Sequence, residues 1–430
     1  MKTTFVLSFF IAVTVFFVYC TKNAQIVAPT TSSTNELVSY KTSVAPTIDG
    51  SIDAIWDNAT KLAVTPTVPD PGNGMFAGYQ GTQYPATLRS MYDGTSIYFL
   101  AEWADASNYQ VQPWYFNPTT TRWTQRANSR AYDVNGLLIK EGMGQDQLAM
   151  LWNIDNSTPK FTTQTCYASC HLFTPYRNFT GQMVANKSGN HYTNGANEKI
   201  DMWWCHLNKD LVTGQFDDQY QDWAGGPSVT DTVGGSGNGR KADDLIPPTP
   251  FSTTYINTNT NASNGAFNNS QSLKLDGTGA AVNVPKWVVP DAVGAKYYLA
   301  TDTLAGGKAI KVTGISSTGV LTLISGATLD PNGNTDYADD AATGIAIGKK
   351  CIPSFISAPL TMGRADITAQ ATYTGTGWIL EYKRLLKTPD VLKQDINFSS
   401  LDDQPFGIAI FNSSNYQHGI HPNLLLKFAK

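Results

Sequence analysis

The chain of 430 residues is poor in charge. Only 15% of its residues are Asp, Glu, Lys or Arg, where soluble domains usually carry about 25%. The 30 basic and 34 acidic residues nearly cancel, leaving a formal charge of −4. A general nucleic-acid binder, with its basic surface, does not fit that balance. Past residue 20 no stretch has the length or apolarity of a membrane span. An integral membrane enzyme is excluded on that ground, the N-terminus aside. No long segment with a 3.6-residue apolar period is present. Hydrolase signatures are missing too: there is no Gly-x-Ser-x-Gly elbow and no His-Glu-x-x-His helix. What remains is 41% hydrophobic residues, enough for a sizeable core, with 36 Gly, 22 Pro and much Thr, Asn and Ser. That mixture points to a β-rich extracytoplasmic protein of one large or two smaller domains.

The N-terminus reads as an address. Lys2 precedes an apolar run from Phe5 to Tyr19 that ends at Cys20. This is a charged n-region and an h-region, in the pattern of a lipoprotein signal whose cysteine is lipidated. An ordinary signal peptide or an uncleaved anchor is the plainer alternative, because Tyr19 stands where a small residue is usual. Residues 21–40 are polar and Thr/Ser-rich and read as a tether. The expected location is exported: periplasmic, or on the outer membrane or cell surface.

Five cysteines narrow the chemistry: Cys20, Cys166, Cys170, Cys205 and Cys351. Cys166 and Cys170 fall in Cys166-Tyr167-Ala168-Ser169-Cys170-His171, one residue longer than the C-x-x-C-H signal for c-type haem attachment. In that signal two thiols add to the haem vinyl groups and the following His is held as an axial ligand. The structural alternatives are a short disulfide, or a zinc site completed by Cys205 or His206. Cys205 and Cys351 are left as an even pair, for which a disulfide is the simplest fate in an oxidising compartment.

Strand signals dominate the rest. Ser96–Asp105, Gln147–Ile154, Phe406–Phe411 and Leu424–Phe428 are short apolar or β-branched runs, and Ile367–Tyr373 and Gly377–Arg384 flank a Thr-Gly-Thr turn. Residues 225–241 and 257–271 read as loops. Residues 285–350 read as an inserted β-hairpin subdomain. Asp330, Asn332, Asn334 and Asp336 alternate within it. Their spacing does not match a calcium loop, which leaves an Asn/Asp-rich turn. The expected fold is all-β: an antiparallel β-sandwich with long loops over 41–430.

Several stretches carry a resemblance. Ala45-Pro46-Thr47-Ile48-Asp49-Gly50 through Trp56 looks like the opening of family-nine carbohydrate-binding modules, and Tyr98–Asp105 like one of their core strands. With Met150–Asp155, Asp201–Trp204 and Trp378–Arg384, these resemble the haem-binding domain of the ethylbenzene dehydrogenase γ-subunit family. What the resemblance implies is a β-sandwich that holds one haem and passes electrons, as a carrier or as the haem subunit of a larger oxidoreductase, and not as an enzyme by itself. Such γ-subunits hold a b-type haem through a Met and a Lys. Here Cys166, Cys170 and His171 imply a covalent haem c, and His206 stands where the family's Lys would be.

His171 is the expected proximal ligand and His206 the expected sixth, with Met150, Met202 and His418 as alternatives. Trp152, Trp203 and Trp204 are candidate walls for the haem, or plain core. A redox partner protein is implied, and membrane attachment through Cys20. The competing function is a haem-free carbohydrate-binding or surface-recognition module, since 10 Trp and 20 Tyr suit sugar stacking and a fold alone does not fix function.

Overall fold

The computed structural model of the chain describes residues 35–430 apart from 71–75, 77, 109–112, 126–130, 133–137, 141–143, 172–175, 178–182, 185–189, 192, 194, 196, 223–239, 247–255, 258–264, 291–296, 332–338, 341–344, 347–350 and 415–416. The signal and most of the tether, and Asn332, Asn334 and Asp336, lie outside the described residues. Among the described residues no helix is long and apolar enough to cross a membrane.

The chain is mostly β, with a single turn of α-helix at Phe161–Gln164. Eleven strands matter for the site: β1 (Glu36–Lys41), β2 (Leu62–Val64), β3 (Ala86–Tyr92), β4 (Ser96–Ala104), β5 (Gln147–Asn153), β6 (Ile200–His206), β7 (Gln215–Gln221), β8 (Ile367–Tyr373), β9 (Gly377–Leu385), β10 (Gln404–Phe411) and β11 (Gly419–Ala429). Their order in one sheet is β1-β11-β10-β5-β6-β7-β8-β9-β4-β3, and β1 also pairs with β3. The sheet therefore closes on itself as a ten-strand ring, where the sequence suggested two sheets of a sandwich. β1 runs parallel to both its neighbours. Residues 36–40, expected to be tether, are thus part of the ring.

Alternation along the strands sorts side chains between the ring's interior and its outer face. Leu148, Met150 and Trp152 of β5, Trp203 and Cys205 of β6, Phe216 of β7, Leu380 and Tyr382 of β9, and Phe406, Ile408 and Ile410 of β10 share one interior core. The outer faces of several strands are buried as well, which is why these strands read as continuous apolar runs. Leu151, Ile200 and Met202 pack outside under Phe161, Cys166 and Ala168. The opening Asp-Gly-Ser turn is held by a carboxylate of β9. Trp56 Nε1 donates to Glu381 Oε1 at 2.8 Å, and the amides of Gly50 and Asp49 donate to Oε2 at 2.9 and 3.2 Å.

A second hydrophobic core lies apart from the ring. It draws on Trp114, Phe116 and Trp123 together with Leu275, Val284, Val312, Leu321, Ile352 and Ile356. Strands at Ile310–Ile315 and Leu321–Leu323 form its central hairpin. Its residues extend beyond 285–350 on both sides, because the Trp114–Asn117 and Arg122–Gln125 hairpin supplies one wall.

Candidate functional site

The residues singled out by sequence divide between the two faces of the sheet. Trp152 and Trp203 point into the ring. Their ring centroids are 5.1 Å apart, and Trp152 also stacks on Phe406 at 4.8 Å. Both are fully buried core, on the opposite side of the sheet from Cys166 and His206. Met150 points inward as well, and its Sδ accepts a hydrogen bond from the Tyr382 hydroxyl at 2.9 Å. These three side chains build the interior and do not meet the other candidates.

Cys166, Met202, Trp204, His206 and His418 gather on the outer face of β5, β6 and β10. Cys166 sits in a 3-10 turn, Thr165–Ala168, that follows the short helix. It is buried against the sheet, and burial pushes its thiol up to about 11. The reason it fits is Gly407, at an irregularity in the β10–β11 pairing. A methyl group at Gly407 would sit 2.9 Å from Cys166 Sγ. The turn is held from the other side by the Asn423 amide, which donates to Thr165 Oγ1 at 3.2 Å.

Trp204 links this cluster to its neighbour. It packs both beside Met202 and Cys166 and beside Ala149, Ala409 and Phe411. The small side chains Ala149 and Ala409 are directly opposite one another across β5 and β10, so no bulky group from these two positions crowds the face. One face of Trp204 carries the Arg240 guanidinium at 4.1 Å. His206 lies at 4.5 Å from the Trp204 ring. Phe411 lies at 6.2 Å from Trp204, and His418 stacks on Phe411 at 4.5 Å. Two histidines thus stand at the two ends of an aromatic row. Met202 Sδ accepts from Gln221 Nε2 at 3.2 Å, so its sulfur is engaged.

His206 is held in one orientation. Its Nδ1 is 2.5 Å from Asp210 Oδ2, across a turn in which the Asp210 amide donates to the His206 carbonyl. Burial would raise the Asp210 carboxyl, but His206 beside it, with Lys209 and Arg364, outweighs burial and holds it below its ordinary value. A carboxylate beside Nδ1 accepts from that nitrogen, so Nε2 is the atom the neutral ring offers to a ligand. Asp210 was not singled out by sequence. Its spacing of four from His206 is the signal that would have found it.

The backbone of Cys170 and His171 forms a two-residue ladder with Asn190 and His191, Cys170 opposite His191. The side chains of Cys170, His171 and Asn190 lie outside the described residues. His191 is half-buried beside the motif. Cys166 is a free thiol, so the short disulfide is not formed. Cys205 is a free thiol buried inside the ring, so the bond considered between it and Cys351 is not formed either. Its position inside the ring also removes it from a zinc site with Cys166.

The outer face suits a flat apolar group with polar edges. It has small residues in register, an aromatic flank, an oriented imidazole and two buried polar atoms, Trp204 Nε1 and Ser169 Oγ, that have no partner among the described residues. The donor set, imidazoles and thiols, is the one that holds haem iron and haem vinyl groups. These are the features of a closed β-ring protein with a candidate ligand face on its outside. The chain belongs to the ethylbenzene dehydrogenase family, whose model matches residues 53–422. None of the curated proteins matches it. Among solved structures it is similar to a carbohydrate-binding module of family 9 from Caldicellulosiruptor kristjanssonii, in complexes with glucose and with cellotriose. Identity is 9% in both, over 91% of this chain and 95% or 93% of that one, with TM-scores of 0.27 and 0.28. Values that low carry no argument about this chain's ligand.

Proposed function

We propose that the chain is an electron-transfer protein, a carrier or the haem subunit of a larger oxidoreductase, with one haem on the outer face of β5, β6 and β10. In this reading Cys166 and Cys170 attach the haem covalently, and His171 and His206 are the axial ligands. The observation that carries it is His206. It stands on the face that Cys166 overlies, with Nδ1 tied to Asp210 and Nε2 left as the ligand atom. The haem, when bound, supplies the one-electron chemistry. Asp210 keeps the proton on Nδ1 and orients the ring. Trp204 and Phe411 keep water from the face. Gly407 lets the Cys166 turn lie close against the sheet. Cys20 as a lipid anchor, an exported location and a protein redox partner complete the reading on sequence grounds.

The test is a pyridine haemochrome spectrum on full-length protein from a host with cytochrome c maturation, followed by acid-acetone extraction. A c-type spectrum with haem that resists extraction is expected, and Cys166→Ser with Cys170→Ser should make the haem extractable. His206→Ala should open the reduced protein to carbon monoxide. If that variant gains no carbon monoxide binding, the sixth ligand is Met202 or His418. Protein with no haem at all would refute the reading.

A further inference from the structure

A second constellation lies inside the ring, at the end crossed by residues 388–398. Asp201 of β6, Asp218 of β7 and Arg384 of β9 all point inward there, on the same side as Trp203, Phe216 and Tyr382. Asp395 and Ile396 arrive from the crossing segment, and Asp243 from just beyond the strand Arg240–Ala242. Arg384 Nη1 is 2.8 Å from Asp201 Oδ2, 3.3 Å from Asp218 Oδ2 and 3.6 Å from Asp395 Oδ1. Its Nη2 donates to the Ile396 carbonyl. The guanidinium is stacked 4.8 Å from Trp203 and 5.6 Å from Phe398. All four aspartates and the arginine are buried.

The arginine does not complete this cluster. Four carboxylates against one guanidinium leave three negative charges in the core if all are ionised. Four oxygens have no hydrogen-bond partner among the described residues: Oδ1 of Asp201, Asp218, Asp243 and Asp395. Unpaired charge in a core is costly enough that it is almost always matched by a counter-charge or removed by a proton. Asp201, Asp218 and Asp395 can each offer one oxygen such that all three lie within 4.8 Å of one another. Oxygens within that distance can share one calcium ion, at roughly 2.3–2.6 Å each, and a buried set of carboxylates suits calcium better than magnesium, which keeps several waters. With no sulfur or imidazole in the set, the donors suit a hard cation and not zinc or copper.

We propose that Asp201, Asp218 and Asp395, with Asp243 beside them, bind one calcium-sized divalent cation through one carboxylate oxygen each. The ion would fasten the 388–398 segment over the end of the ring. It is independent of the outer face where we place the haem, since Asp201 and His206 point to opposite sides of β6.

The experiment uses the full-length protein as purified. Elemental analysis should find one calcium per chain. After removal with a chelator, terbium should bind with luminescence sensitised by Trp203, and calcium should displace it. Millimolar calcium should raise the thermal midpoint of the chelated protein by about 5 °C. Asp218→Asn should weaken terbium binding at least tenfold. If that variant does not fold, the wild-type chelation and calcium-readdition series decides alone. Protein without stoichiometric metal, whose midpoint calcium does not move, would overturn the proposal and leave protons as the counter-charge. Terbium that binds Asp218→Asn as tightly as wild type would overturn it by placing the ion elsewhere.

Discussion

Replacing Arg384 by Met removes the guanidinium from a cluster of buried carboxylates while keeping most of the side-chain volume. Removing one partner of a buried ion pair costs about 3–5 kcal/mol. The Ile396 carbonyl also loses its donor, which adds about 1 kcal/mol. A loss of about 4–6 kcal/mol is a large part of the 5–15 kcal/mol that holds a typical domain together. At roughly 2 °C per kcal/mol for a large domain, the thermal midpoint should fall by about 10 °C. The loss should also depend on pH. Burial raises the folded-state carboxyl of Asp201 to about 6, opposed by Arg384. A carboxyl raised in the folded state holds its proton where the unfolded chain has released it. Its contribution is therefore complete below about pH 4, the unfolded value, and is lost as pH rises through the folded value. Without Arg384 the folded value climbs further, so the loss continues to higher pH. Calorimetry at pH 5 and pH 8, with chelator present for both proteins, should show a small deficit at the first and the full deficit at the second. A variant within about 2 °C of wild type at pH 8, or equally impaired at both, would refute the reasoning.

Gly407→Ala should press on Cys166 Sγ, lower stability by about 1–3 kcal/mol and reduce the fraction of haem that resists extraction, measured by melting and by acid acetone. Met150→Ala should cost about 2–5 kcal/mol as a core truncation and leave the haem spectrum unchanged; an altered spectrum would bring Met150 back as a ligand. Asp146 is raised to about 7, first by burial and then by neighbouring Asp105. Its contribution to stability is therefore lost as pH rises from about 4 through 7. Asp146→Asn should flatten the fall in melting midpoint between pH 5 and pH 8, and an unchanged slope would remove Asp146 from that role.

The local elements could be read from sequence because their signals are local. Ile367–Tyr373 and Gly377–Leu385 pair around Thr374-Gly375-Thr376 as their turn chemistry suggests. β4 and β5 match their apolar runs to within a residue. What could not be read is which way those runs face. In Ile-Asp-Met-Trp-Trp-Cys-His of β6 both faces are apolar and nearly all positions are buried, so a period of two gives no polarity. That is why Trp203, which points into the ring, and Trp204, which lies on the His206 face, both passed for cofactor walls. Long-range meetings left no trace either: Arg384 is 183 positions from Asp201, and Glu381 is 325 from Trp56. The ring's closure belongs to the same class, since it depends on β1 finding β11 and β3.

That closure has a kinetic consequence. β1 is made first among the described strands, yet one of its two partners, β11, ends at Ala429. The seam cannot be sewn until nearly the whole chain is available, and contacts this distant in sequence form slowly. Until then β1 and β10 expose open strand edges, which are templates for pairing with other molecules. A truncation within 419–429 would not merely shorten the protein. It would leave the ring permanently unsealed, and aggregation should appear before any loss of the remaining strands.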